Sequence, residues 1–164
     1  MYPPRYNTSL RISIVTRWAA LLALCATASV PAAAAPALTV DAVIRNDRGQ
    51  VTLSFSIENS SGRAISLRQS ALPWDKQFGA LIVAVDKSTG RPLKRTPAIE
   101  DVFGPSPIVE MEPAKVLQGR VQLASSFAGV QEAAKGGNLV VFWYYAPRSE
   151  DGSSLGKYGG WLEL

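Results

Sequence analysis

The stretch Gln50–Asn59, QVTLSFSIEN, decides the fold class. Val51, Leu53, Phe55 and Ile57 alternate with Thr52, Ser54, Ser56 and Glu58. Successive side chains of an extended strand point to opposite faces, so the alternation puts one row in a core and the other in water. The residue types suit a pleated, half-buried surface. Asn59-Ser60-Ser61-Gly62 then ends the strand in a turn.

On the N-terminal side, Leu38–Arg45 (LTVDAVIR) repeats the alternation, and Asn46-Asp47-Arg48-Gly49 reads as a hairpin turn joining it to the central strand. On the C-terminal side, Arg63–Arg68 is a short strand. Gln69–Gly79 is irregular and carries Pro73, Trp74 and Phe78, which predicts a loop folded over one end of the core. Ala80–Asp86 (ALIVAVD) is nearly all apolar, the pattern of a strand covered on both faces. Lys87–Gly90 is its turn, and a Pro/Gly-rich stretch runs on to Pro107.

Lys115–Leu123 is the next strand, with Val121 and Leu123 directed inward, and a short helical turn falls within Ser125–Lys135. Asn138–Ala146 (NLVVFWYYA) carries two apolar rows. Leu139, Val141, Trp143 and Tyr145 form one; Val140, Phe142 and Tyr144 form the other. Either the strand is covered twice, or one row is an exposed aromatic patch. Lys157–Leu164 closes the fold as a terminal strand. About seven short antiparallel strands predict a single immunoglobulin-like, all-β sandwich over residues 35–164.

Residues 1–34 have the order of a secretory signal peptide: Arg5, Arg11 and Arg17, then the apolar run Trp18–Val30, then small residues with A-x-A at Ala32 and Ala34. The run is shorter than the roughly 20 residues of a spanning helix. The expectation is therefore a periplasmic or secreted domain with no stable membrane span after cleavage. Cys25, the only cysteine, lies in this leader, which predicts a mature domain held by its core without disulfides.

The charge argument changes once the leader is set aside. Of 17 Lys+Arg, three are in the leader, which holds none of the 13 Asp+Glu, so the mature part carries 14 − 13 = +1. A nearly neutral domain gives no electrostatic reason to bind nucleic acid or an anionic membrane.

The chain has no histidine. Ser-His and Cys-His catalysis, H-E-x-x-H zinc sites and imidazole acid-base chemistry are thereby excluded. No phosphate-loop or dinucleotide glycine motif is present. The carboxylate pairs Glu100-Asp101, Glu110/Glu112 and Glu150-Asp151 read as solvated charges, with Glu110 and Glu112 the one pair to test for acid-base work. No catalytic, metal-binding or cofactor-binding set is assigned, and the chain reads as a non-enzyme. Asn59-Ser60-Ser61 matches an N-glycosylation acceptor, but its place at a strand end favours a turn.

Binding is the remaining chemistry. The candidate residues are Trp74 and Phe78 in the irregular loop and Arg91, Lys94 and Arg95 around the later turn. Most of the aromatic set Trp74, Phe78, Phe103, Trp143, Tyr144, Tyr145, Tyr158 and Trp161 must build the core. An exposed subset would make a protein- or glycan-binding face, and an exposed apolar patch is expected beside the Trp74 loop or the Lys94-Arg95 loop. The alternative is a structural or assembly subunit of the cell envelope that pairs through its terminal strand.

From Asn59 onward a set of features accumulates: Ala64-Ile65-Ser66-Leu67, Ala71-Leu72-Pro73-Trp74, Phe78, Leu81–Val85, Gly90-Arg91-Pro92-Leu93, Lys94-Arg95-Thr96-Pro97, Asp101, Gln118–Leu123 and Ser126-Phe127. This order resembles the immunoglobulin-like domain that precedes the catalytic domain in bacterial relatives of the deuterolysin (peptidyl-Lys) metalloendopeptidases. The family's zinc motif needs histidines that this chain lacks. The resemblance therefore implies a stand-alone relative of a pro- or accessory domain, in a peptidase-binding or inhibitor-like role, with a secreted peptidase the natural protein partner.

Overall fold

The computed structural model describes residues 36–75, 79–97 and 105–164. The leader, Phe78, Phe103 and the Glu100-Asp101 pair lie outside the described residues.

Strand β1 (Leu38–Asp47) and strand β2 (Gln50–Asn59) form an antiparallel hairpin with Asp47 opposite Gln50. Only Arg48 and Gly49 lie between them, at φ 53° and 84°. Two consecutive positive φ values give a primed turn, whose twist matches that of the flanking strands. The turn is tighter than Asn46–Gly49, because Asn46 stays in β1 and its Oδ1 accepts the Gly49 N–H at 3.1 Å. Strand β7 (Val116–Gln122) pairs with the other side of β2, so the stretch that decided the fold class is central in its sheet, order β1-β2-β7.

Strand β3 (Ile65–Arg68) pairs with β6 (Ile108–Met111) in a small two-stranded sheet. The third sheet has the order β5-β4-β8-β9 and is built from β4 (Leu81–Asp86), β5 (Arg91–Pro92), β8 (Leu139–Tyr145) and β9 (Tyr158–Glu163). All the pairings are antiparallel. The architecture is the expected all-β sandwich, with β5 and β6 added to the strands the sequence predicted. Two helical turns, α1 (Leu123–Ser126) and α2 (Val130–Lys135), close one end. Leu123, expected as the last inward residue of a strand, is instead the first residue of α1 and is fully buried.

The core lies between the sheets in two adjoining clusters. One joins Val51, Leu53 and Phe55 of β2 to Ala84, Leu139 and Val141 of the facing sheet and to Phe127 and Val130 from the helical end. The other joins Leu38, Ile57, Ile65, Leu67, Met111 and Tyr145. Phe55 meets Trp143 edge to face, ring centroids 5.5 Å apart, so the central strand is stapled to β8 by an aromatic pair.

Asn59 is the buried polar residue of this core, and every hydrogen-bonding group it has is satisfied. Its Nδ2 donates to Arg63 O at 2.8 Å and to Met111 O at 2.7 Å, and its Oδ1 accepts from Ser61 N and Ser61 Oγ. A buried amide without partners costs the desolvation of each group, so this network is what permits a polar residue here. It also leaves the Asn59 side chain no access to a glycan in the folded protein.

Candidate functional site

Strand β8 settles the question left open by its two apolar rows. Leu139, Val141 and Tyr145 are buried, while Phe142 and Tyr144 face solvent. On the neighbouring strands Leu81 and Val83 of β4 and Trp161 of β9 face the same way. Their exposures are 61% for Leu81, 37% for Val83, 47% for Phe142, 44% for Tyr144 and 60% for Trp161. The expectation that β4 is covered on both faces is thus corrected: its outer row is open to solvent.

The register places these side chains directly beside one another. Leu81 is opposite Tyr144, and Tyr144 is opposite Gly159. Val83 is opposite Phe142, and Phe142 is opposite Trp161. A third row runs Pro92, Val85, Val140, Glu163. Directly opposed Cβ atoms lie about 4.5–5.5 Å apart, so the first two rows make one continuous surface three strands wide, which ends at the third row, where Val140 is buried. Its charged border is the ion pair of Lys87 Nζ with Glu163 Oε2 at 2.8 Å.

The outer face of the opposite sheet shows what an ordinary solvated face looks like in the same molecule. There Asp41 is opposite Ser56, Ser56 is opposite Gln118, and Ser54 is opposite Arg120. Thr52 Oγ1 donates to Gln122 Oε1 across the strands. Val43, opposite Ser54, and Val116, opposite Glu58, are the exposed apolar residues of this face, set singly among polar ones, whereas the outer face of β4, β8 and β9 gathers aromatic and aliphatic side chains side by side.

The candidate residues read from the sequence fall elsewhere. Trp74 is half-buried and packs against both core clusters, so most of its ring builds the interior. It lines a cleft of about 420 Å³ with Ile82, Arg95, Val121, Ser125 and Phe127. The structure therefore brings Trp74 and Arg95 together. Arg91 and Lys94 are exposed and do not line this cleft. Lys94 and Thr96 are fixed by backbone: Lys94 O accepts from Ala128 N, and Thr96 N donates to Ser126 O, both at 2.9 Å. A further apolar surface lies on the outer sheet face. Its signal in the sequence was the second row of β8.

The carboxylates do not converge. Glu110 and Glu112 are both exposed. Asp151 is held by its own loop, accepting from Ser149 Oγ and from Ser153 N, and these hydrogen bonds bring its carboxyl down to about 2. Among the described residues no three His, Cys, Asp or Glu side chains come together. Ser154 and Lys157 have the Ser-x-x-Lys spacing of some nucleophilic dyads, yet both are exposed and no hydrogen bond joins them.

Tyr145 is the one buried polar side chain left without a partner among the described residues: its hydroxyl is inaccessible and makes no hydrogen bond. Burial, with a smaller contribution from Tyr158, drives its ionisation well above the ordinary range of a phenol. Tyr158, 6.3 Å away, has partners for its own hydroxyl: its single proton lies between the carbonyls of Leu155, at 2.7 Å, and Leu38, at 3.0 Å, and its oxygen accepts from Leu38 N.

No protein-family model matches this chain, and no curated protein is significantly similar to it. Among the described residues no helix is long and apolar enough to cross a membrane.

Proposed function

We propose that this chain is an exported, non-enzymatic protein-binding module that docks its partner on the outer face of the β4-β8-β9 sheet. The observation that carries the reading is the contiguous row set Leu81, Val83, Phe142, Tyr144 and Trp161, exposed together, whereas the outer face of the β1-β2-β7 sheet is mostly polar with only Val43 and Val116 set singly in it. Large exposed apolar patches are rare on monomeric proteins, and Trp, Tyr and Phe are the residues that dominate interface cores. The patch holds few polar groups that could orient a small substrate, and no carboxylate pair lies in it, which favours a macromolecular partner over chemistry. The resemblance of the Asn59–Phe127 region to a peptidase-associated domain makes a secreted peptidase the first partner to test.

The test is a capture experiment on the producing cell's envelope and culture fluid, with a peptidase assay on what is recovered. Wild-type chain, a Phe142→Ser/Trp161→Ser variant and an Arg120→Glu control on the polar face serve as baits. A protein held by wild type and by the control, but lost with the aromatic variant, supports docking on this face. A partner retained equally by all three baits overturns it.

A further inference from the structure

Strand β9 is an edge strand among the described residues: β8 lies on one side and no strand pairs with the other. The pairing with β8 shows which backbone groups the open edge presents. Leu139 and Leu164 exchange both hydrogen bonds, Leu139 N to Leu164 O and Leu164 N to Leu139 O. In an antiparallel ladder such pairs alternate with pairs that exchange none. The register then makes Gly159, Trp161 and Glu163 the residues whose N–H and C=O groups point away from β8. The segment Lys157–Leu164 contains no proline, and its only charges are Lys157 and Glu163. Protection by proline, by a bulge or by repeated charge is missing from an edge that also carries a 60% exposed tryptophan.

We infer that this edge is the site at which a second copy of the chain pairs, β9 antiparallel to β9 about a two-fold axis, joining the two four-stranded sheets into one. The side chains select one register. With Gly160 opposite Gly160 on the axis, Lys157 stands opposite the second copy's Glu163 on both sides of the dyad, an opposite-charge cross-strand pair made twice, in which Lys157 joins Lys87 at the Glu163 carboxylate. The same register sets Trp161 opposite the second copy's Gly159, which has no side chain and lies beside Tyr144, so the indole covers the glycine and reaches that ring. Sliding the strands by one pair opposes Trp161 to its own copy and Gly159 to Glu163, and both charge pairs are lost. The occupant is a second copy because the edge is complementary to itself in charge and in shape. This inference is independent of the partner proposed above; the dimer would carry the aromatic faces of both copies on one surface.

Charge reversal tests the register. The full chain, as the producing cell makes it, is measured by sedimentation velocity over a range of concentrations, alongside Lys157→Glu, Glu163→Lys and an equimolar mixture of the two variants. The wild type sediments with twice the chain mass. Each single variant opposes like charges twice, which raises its dimer dissociation constant on the order of tenfold. In the mixed dimer the two substituted positions face each other across one side of the axis, and the native Lys157 and Glu163 face each other across the other. Opposite charges are thus restored on both sides, so dimers return. A misfolded variant would not be recovered by mixing. A wild type that stays at one chain mass, single variants that dimerise as well as wild type, or a mixture that stays dissociated overturns the inference.

Discussion

The indole of Trp74 occupies the space that a side chain on Gly119 would need. A Cβ built at Gly119 would overlap the Cγ, Cδ2 and Cε2 atoms of the Trp74 ring. Gly119 sits opposite Phe55 in the sheet. The glycine is therefore the seat that lets the loop tryptophan reach the core. Gly119→Ala is expected to expel the ring and destabilise the fold by about 2–4 kcal/mol, and Trp74→Ala by about 3–5 kcal/mol, measured by urea unfolding. The two losses are not additive: in the double variant the alanine at 119 meets no ring, and its extra cost nearly vanishes.

Asn59 ties the end of β2 to β6 through Met111 O. Asn59→Ala leaves the Arg63 and Met111 carbonyls without their donor and is expected to cost about 2–4 kcal/mol in the same assay. Asn59→Asp removes the donor while adding a charge at a site 1% exposed, so its loss exceeds that of alanine at neutral pH.

Tyr145→Phe removes a buried hydroxyl that has no partner among the described residues. The substitution is expected to stabilise the fold by about 1 kcal/mol, since the desolvation of that hydroxyl is relieved. The same residue sets an alkaline limit. Its folded ionisation lies far above the unfolded value of 10.0, so above that pH only the unfolded chain loses the proton and stability falls as pH rises. Thermal melts from neutral pH to above that value should show a decline in wild type that Tyr145→Phe reduces.

Asp151 gives the opposite sign at the acid end. Its carboxyl titrates at about 2 in the folded loop against 3.8 ordinarily. The contribution is complete above the ordinary value and is lost as pH falls from there toward 2. An NMR titration of the Ser153 amide should follow this midpoint, and Asp151→Asn should leave that amide insensitive to pH in the same range.

Phe142→Ser and Trp161→Ser lie on the open sheet face. They are expected to change unfolding free energy by less than about 1 kcal/mol, because both side chains are largely exposed, while abolishing partner capture. A loss of stability comparable to that of Trp74→Ala would show these rings to be part of the core.

The hairpin, the central strand and the sandwich were legible because period-two alternation in β1 and β2 records one buried face and one wet face directly. The absence of histidine, and with it of imidazole chemistry, was legible from residue types alone, with no geometry needed. Strand β6 was not legible: Ile108-Val109-Glu110-Met111 is too short to show a period, and it is a strand because β3 lies alongside it. That the loop carrying Trp74 folds over the core was legible, but the seat of its ring was not, since Gly119, far away in sequence, makes room for it.

The sequence by itself determined that β8 has two apolar rows, because alternation assigns each residue to a face. Which row is covered was decided only by the tertiary structure. The inner row packs against β2 and the helical end, and the register with β4 and β9 gathers Phe142, Tyr144, Leu81 and Trp161 on the side that no other element described covers. Burial belongs to what a face meets, and a strand's own residues cannot specify that.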